Sequence, residues 1–156
     1  MQKQTLIIWF IGLLALVLGL LFHTYQRNDF EDSQGNGYQW RTLRDQVVVV
    51  NYFAEWCAPC LKEIPELNTL HAWSLTQDDV TVMAVSYDPL SVAEVNALRA
   101  KYDIRFPVIV DTGVDFPVKA PQYLPATFFV NAGETSPPLL GEQTFETFVE
   151  AVNQIR

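Results

Sequence analysis

Apolar and polar positions divide the chain into one long hydrophobic run and a series of shorter ones. Residues 5–22 (TLIIWFIGLLALVLGLLF) are apolar at all positions but Thr5, Gly12 and Gly19. At the helical rise, eighteen residues reach about 27 Å, close to the thickness of a bilayer's hydrocarbon core. Trp9 and Tyr25 fall where amphipathic aromatics meet the two membrane interfaces. Further on, 46–53 (QVVVVNYF) is an unbroken β-branched and aromatic run, which predicts a strand covered on both faces. Residues 58–75 repeat Leu61, Ile64, Leu67 and Leu70 at helical spacing, with Pro65 among them. A second buried strand is predicted over 80–87 (VTVMAVSY). Ser91 and Glu94 then form a capping-box pattern for a helix through Tyr102, with Val92, Val95 and Leu98 turned inward. Residues 106–110 and 126–130 predict two more strands, and 144–155 an amphipathic helix built on Phe145, Phe148, Val149 and Val152. Pro137 and Pro138 put the segment after Asn131 at a sheet edge. Strands alternating with helices predict an α/β domain, a sheet flanked by helices and joined by right-handed crossovers.

Length and charge narrow the picture. The 156 residues allow one domain once the apolar run is set aside. A cleaved signal peptide has a shorter apolar run ending in a small-residue site, and Phe22-His23-Thr24-Tyr25-Gln26-Arg27 offers none. The expected organisation is therefore a cytoplasmic tail (1–4), a transmembrane anchor (5–22), a linker (23–37) and a single domain (38–156). Basic residues flank the run almost evenly, so orientation rests on the short leading tail, which favours an amino end left in the cytoplasm. From residue 28 onward there are 18 acids and 8 bases. Such a surface repels phosphate backbones and disfavours nucleic-acid binding.

The chemistry sits where the first strand runs into Glu55-Trp56-Cys57-Ala58-Pro59-Cys60. A cysteine at a helix start is placed where free N–H groups and the helix dipole favour a thiolate. The second cysteine, three residues on, is within reach of a disulfide across one turn, and Pro59 in the first turn costs no needed hydrogen bond. Three chemistries use such a pair. Structural zinc needs two more ligands, whereas there is no third cysteine, His23 lies beside the apolar run and His71 stands alone. A purely structural disulfide would close too small a loop to stabilise much. The strand–CxxC–helix context favours the third, redox activity.

The motif, with its flanking NYFAEWCAPCLKEIPEL, the stretch VMAVSYDPLSVAEVNALRAKYDIRFPVIVD and YLPATFFVN, resembles the thioredoxin superfamily. More narrowly, it is similar to the membrane-anchored TlpA/ResA/DsbE (CcmG-like) thiol–disulfide oxidoreductases. The likeness covers about residues 43–130 and the last helix. The middle stretch has a character that peroxiredoxins share, but their PxxxTxxC pattern is absent around Cys57.

The resemblance implies a thioredoxin-like fold, a central mixed β-sheet flanked by helices, behind one transmembrane helix. It assigns Cys57 as the exposed nucleophile, Cys60 as the buried resolving thiol and Cys57–Cys60 as the redox disulfide. Pro125 takes the place of the family's cis-proline, with the Leu124 backbone beside it to pair with a substrate strand. Trp56, Ala58 and Pro59 shape the site. Thioredoxins keep a buried Asp where this chain has Asn51. The membrane-anchored relatives instead place a Glu where Glu63 stands, on the helical face of Cys60, as a carboxylate that shuttles its proton. Glu55, Lys62 and Glu66 are expected as exposed charges.

No cofactor or metal is implied. The implied partners are a membrane thiol electron donor (DsbD/CcdA-like), the inner membrane itself through 5–22, and client proteins with disulfides or CxxC motifs. Those clients belong to cytochrome c maturation, copper-site assembly or copper stress. The implied location is a bacterial inner membrane with the domain facing the periplasm or cell exterior. The alternative is a thioredoxin-like copper chaperone or docking module using the two cysteines as ligands. The sequence departs from the family after Asn131, and 113–122 is less helical than the family leads one to expect.

Overall fold

The computed structural model describes residues 2–25, 27–113 and 116–156, with some positions of the first helix as backbone only. Helix α1 (Gln2–Tyr25) leads into strands β1 (Phe30–Asp32) and β2 (Gly37–Tyr38) and the one-turn helix α2 (Trp40–Leu43). Then come β3 (Val47–Phe53), α3 (Ala58–Ser74), β4 (Val80–Ser86), α4 (Val92–Tyr102) and β5 (Val108–Asp111). The chain closes with β6 (Ala126–Asn131), β7 (Glu134–Thr135), β8 (Leu139–Leu140) and α5 (Phe145–Ile155). The strands form one mixed sheet in the order β2-β1-β5-β4-β3-β6-β7, with β8 also on β6. β3, β4 and β5 run parallel and the remaining pairings are antiparallel. This is the thioredoxin-like sheet with flanking helices.

β3 is buried at every position because both its faces are covered. Val47, Val49 and Phe53 pack with Ile64, Leu67 and Leu70 of α3 and with Phe148 and Val152 of α5. Val48, Val50 and Tyr52 pack with Met83, Val85, Ile109, Phe30, Leu43 and Val118. The second face is thus closed by short elements and a loop, with Phe30 from β1, Leu43 from α2 and Val118 from the chain between β5 and β6, where the first has long helices.

The short elements differ from expectation in places. Residues 28–37, expected as part of a linker, belong to the domain: β1 pairs with β5 and β2 with β1. Phe30 is buried there, its ring 5.2 Å from Tyr38, 4.9 Å from Trp40 and 5.5 Å from Phe116. Acids on either side mask this strand, and the partners that hold it lie outside the segment. The third buried strand starts at Val108 rather than Phe106, since Pro107 has no N–H and only its carbonyl joins the ladder, accepting from Ala84 at 2.9 Å. The capping box at Ser91 and Glu94 is present, but Val92 is exposed rather than inward. After Asn131 the two prolines split the edge into two-residue strands, both on β6.

Among the described residues no helix is long and apolar enough to cross a membrane. The anchor expectation covers 5–22, and the side chains of Thr5, Leu6, Ile7, Ile8 and Ile11 lie outside the described ones, as do Gln26 of the expected linker and Val114 and Asp115 of 113–122.

Candidate active site

β3 carries the chain to Phe53, and a tight turn closed by the Cys57 N–H on the Ala54 carbonyl (3.2 Å) starts α3. Cys57 is the N-cap, and its Sγ accepts from the Cys60 N–H at 3.3 Å, satisfying one of the helix's free donors. Pro59 sits in the first turn, as the sequence leads one to expect. The two sulfurs are joined at 2.06 Å. Cys57 is 5% exposed and Cys60 1%. Cys57 is therefore the outer of the pair but not the exposed residue anticipated, because as N-cap its side chain folds back over the first turn. Pro65 lies inside α3, which runs on to Ser74.

Trp56 stands 67% exposed beside the disulfide-bearing turn. Its indole N–H donates to Asp88 Oδ2 at 2.9 Å, and its ring meets Tyr87 edge-on at 6.2 Å. A groove of about 560 Å³ runs from it along α4, lined by Glu55, Asp88, Leu90, Leu98 and Lys101 among others. The Leu124–Pro125 bond is cis. Tyr52 pairs with Ala126, so Leu124 and Pro125 lie past the same end of β3 from which Cys57 emerges. The Pro125 carbonyl accepts from Gly141 at 2.9 Å, whereas among the described residues neither backbone group of Leu124 has a partner.

Glu63 is the buried group of the site, 0% exposed on the face of α3 that Cys60 shares. Its Oε2 accepts from the Asn51 amide at 2.9 Å and its Oε1 from the Gln143 N–H at 2.9 Å. Burial pushes its pKa up, the Gln143 and Asn51 donors pull it back, and the Glu142 charge adds to the rise, leaving it at about 7. Glu66, one turn on, is half-buried rather than exposed: its Oε2 accepts from the Phe145 N–H at 2.9 Å and so caps α5. Thr127, Gln143 and Asp88 are site neighbours that no local pattern announces. They arrive from β6, from the turn before α5 and from the end of β4.

The AhpC/TSA family model matches residues 24–135. The chain belongs to the AhpC/TSA family. The thiol–disulfide oxidoreductase ResA of Bacillus cereus is 30% identical over 117 residues, 74% of this chain and 66% of that protein, so the chain spans about two thirds of this relative. Among solved structures, StoA from Bacillus subtilis superposes with a TM-score of 0.62 at 20% identity, covering 78% of this chain and 92% of that one. The pneumococcal exposed lipoprotein thioredoxin Etrx1 from Streptococcus pneumoniae gives 0.67 at 18% identity, covering 80% and 96%. At these identities the two structures speak for the fold. On that thioredoxin-like fold, the CxxC pair and the ResA relatives make the chain a ResA-like thiol–disulfide oxidoreductase domain acting on client-protein disulfides.

Proposed function

We propose that this oxidoreductase works as a reductant on the outer face of a bacterial inner membrane, drawing electrons from a membrane thiol donor and reducing disulfides in client proteins. The observation that carries this reading is a Cys57–Cys60 pair at a helix start with the buried Glu63 on the same helical face. In the reduced protein, the Cys57 thiolate attacks one sulfur of a client disulfide. A mixed disulfide forms and the client's other sulfur leaves as a thiolate. Cys60 gives its proton to Glu63, and its thiolate attacks Cys57 Sγ, releasing the second client sulfur. Two electrons pass to the client, and the protein is left as the disulfide seen here. A donor dithiol then reverses that oxidation. A carboxyl titrating at about 7 is matched to this proton transfer near neutral pH. The unpaired Leu124 backbone beside Pro125 gives an extended client segment a place to hydrogen bond, and Trp56, Ala58 and Pro59 shape the approach.

The membrane part of the proposal rests on α1. Its described side chains, from Trp9 and Phe10 through Leu13, Leu16 and Leu18 to Phe22, are apolar and bare. A helix surface of that kind calls for an apolar solvent. Clients in cytochrome c maturation, copper-site assembly or copper stress are those of the resembling group.

The deciding experiment is the reduction potential of Cys57/Cys60 in the full chain in detergent, equilibrated against a thiol buffer. A value near or below about −270 mV supports the reductant, and one approaching about −120 mV makes it an oxidant and overturns the direction proposed. Tight stoichiometric copper(I) binding with no disulfide reduction would favour the chaperone alternative instead.

A further inference from the structure

The α3-facing side of β3 reads Val47, Val49, Asn51, Phe53: one amide among apolar side chains, itself 1% exposed. Both protons of that amide are spent. Nδ2 donates to Glu63 Oε2 at 2.9 Å and to Thr127 Oγ1 at 2.9 Å. Thr127 is the residue opposite Asn51 in the β3–β6 ladder, so the second contact is built into the sheet register. The other end of the amide, Oδ1, is buried and has no partner among the described residues. A buried acceptor left unpaired asks for a reason.

We propose that Asn51 is the positioning residue that sets the proton affinity of Glu63, with Thr127 as the anchor that holds its amide in the working orientation. The proposal rests on Glu63 handling the Cys60 proton, and it names what tunes that group.

The argument is one of donors and acceptors. The Gln143 N–H, a backbone donor that cannot reverse, occupies Oε1. Each oxygen keeps a further lone pair on which a proton can sit, but protonation removes the charge, and the Nδ2–H bond to Oε2 is weaker to a neutral acid than to a carboxylate. The contact is therefore strongest while Glu63 is ionised. Reversing the amide to accept that proton would strand both Nδ2 protons where Oδ1 now lies unpaired. Asn51 thus favours the carboxylate specifically and opposes the burial that drives Glu63 toward the neutral acid. The charged group acting against it is Glu142, from the turn before α5, while Cys60 on Glu63's own helix is held in the disulfide. Two donors against burial and one repelling acid leave Glu63 at about 7.

The test uses the full chain in detergent, oxidised, so that neither cysteine titrates, with 13C-labelled glutamate and the Glu63 carboxyl carbon followed against pH. Asn51→Leu, similar in size and without a donor, is expected to raise the Glu63 midpoint by about one pH unit, a tenfold gain in proton affinity. Thr127→Val keeps the shape of the strand and is expected to raise it by less. This second variant carries the test if Asn51→Leu does not fold. Asn51→Asp is expected to split the titration into two coupled steps, one below and one above the original midpoint. In the reduced protein, the pH profile of client-disulfide reduction should move with the midpoint. An unmoved midpoint in the folded variants, or one that falls in Thr127→Val, overturns the proposal. Reduction of insulin disulfides by the unmutated protein is measured separately. Its failure would sink the reductase reading of the site and leave the titration result standing.

Discussion

Asp32 and Glu63 are the two acids that the described fold takes out of water, and it treats them oppositely. Asp32, 2% exposed, ends β1 at the turn into β2. Its Oδ1 accepts from the N–H groups of Gln34 (2.8 Å) and Asn36 (3.0 Å), and its Oδ2 from the Asn36 amide (2.9 Å) and the Tyr38 hydroxyl (3.0 Å). Burial pushes its pKa up, and these donors outweigh burial and hold it below the ordinary carboxylate value. Glu63, fully buried, has two donors for its two oxygens, and burial wins. The donors on Asp32 come from within six residues of it. Those on Glu63 come from β3 and from the turn before α5. A buried acid with every lone pair engaged is a strut. One with too few donors keeps a proton that neutral pH can remove, which is what the proposed acceptor of the Cys60 proton requires.

The contrast is sharpest in stability, and the largest effect belongs to the strut's own hairpin. Phe30→Ala removes the centre of the aromatic cluster beside Asp32 and should cost about 3–5 kcal/mol in chemical denaturation, with disulfide-reductase activity per folded molecule unchanged. Unaltered stability would return 28–37 to the status of a linker.

Glu63 comes next. The unfolded chain releases this proton near 4.5 and the folded chain only near 7, so between those values the folded state holds a proton that the unfolded state lacks. Stability should therefore fall by about 3 kcal/mol as pH rises through that window and level off above it. In Glu63→Gln this fall should be absent from denaturation curves taken across the window.

Asp32→Ala should cost about 2–3 kcal/mol at neutral pH by stranding its donors. The pH sign is the reverse of that for Glu63. The Asp32 contribution is present above 3.8 and is lost as pH falls through its lowered folded value, so the variant should lose less stability on acidification than the parent. The smallest effect is that of Glu66→Ala, about 1 kcal/mol, from the loss of the cap on the Phe145 N–H. It should leave the pH profile of thiol reactivity where it was, whereas Glu63→Gln should move it.

Strong periodic segments were legible from the chain alone. β3, α3, β4, the capping box of α4 and the last helix fall where apolar spacing and caps put them. The CxxC at the start of α3 was legible for the same reason, since motif and flanking elements are contiguous. β1 and β2 were not, because three- and two-residue strands carry no period and Phe30 is buried by Tyr38, Trp40 and Phe116 rather than by neighbours in sequence. Val92 reads as inward by spacing and is exposed, because α4 buries only its Val95–Leu98 side.

What the sequence determined by itself is the redox pair, its place at the end of a buried strand, and a glutamate one helical turn beyond it. Each is a short-range matter of residue type and spacing. Only the tertiary structure decided how that glutamate is held. Asn51 reaches it from β3, Thr127 anchors Asn51 across the ladder from β6, and Gln143 closes on it from a turn eighty residues away. Whether a carboxyl keeps its proton depends on the sum of burial and donors around it, and that sum exists only once these distant segments have packed together.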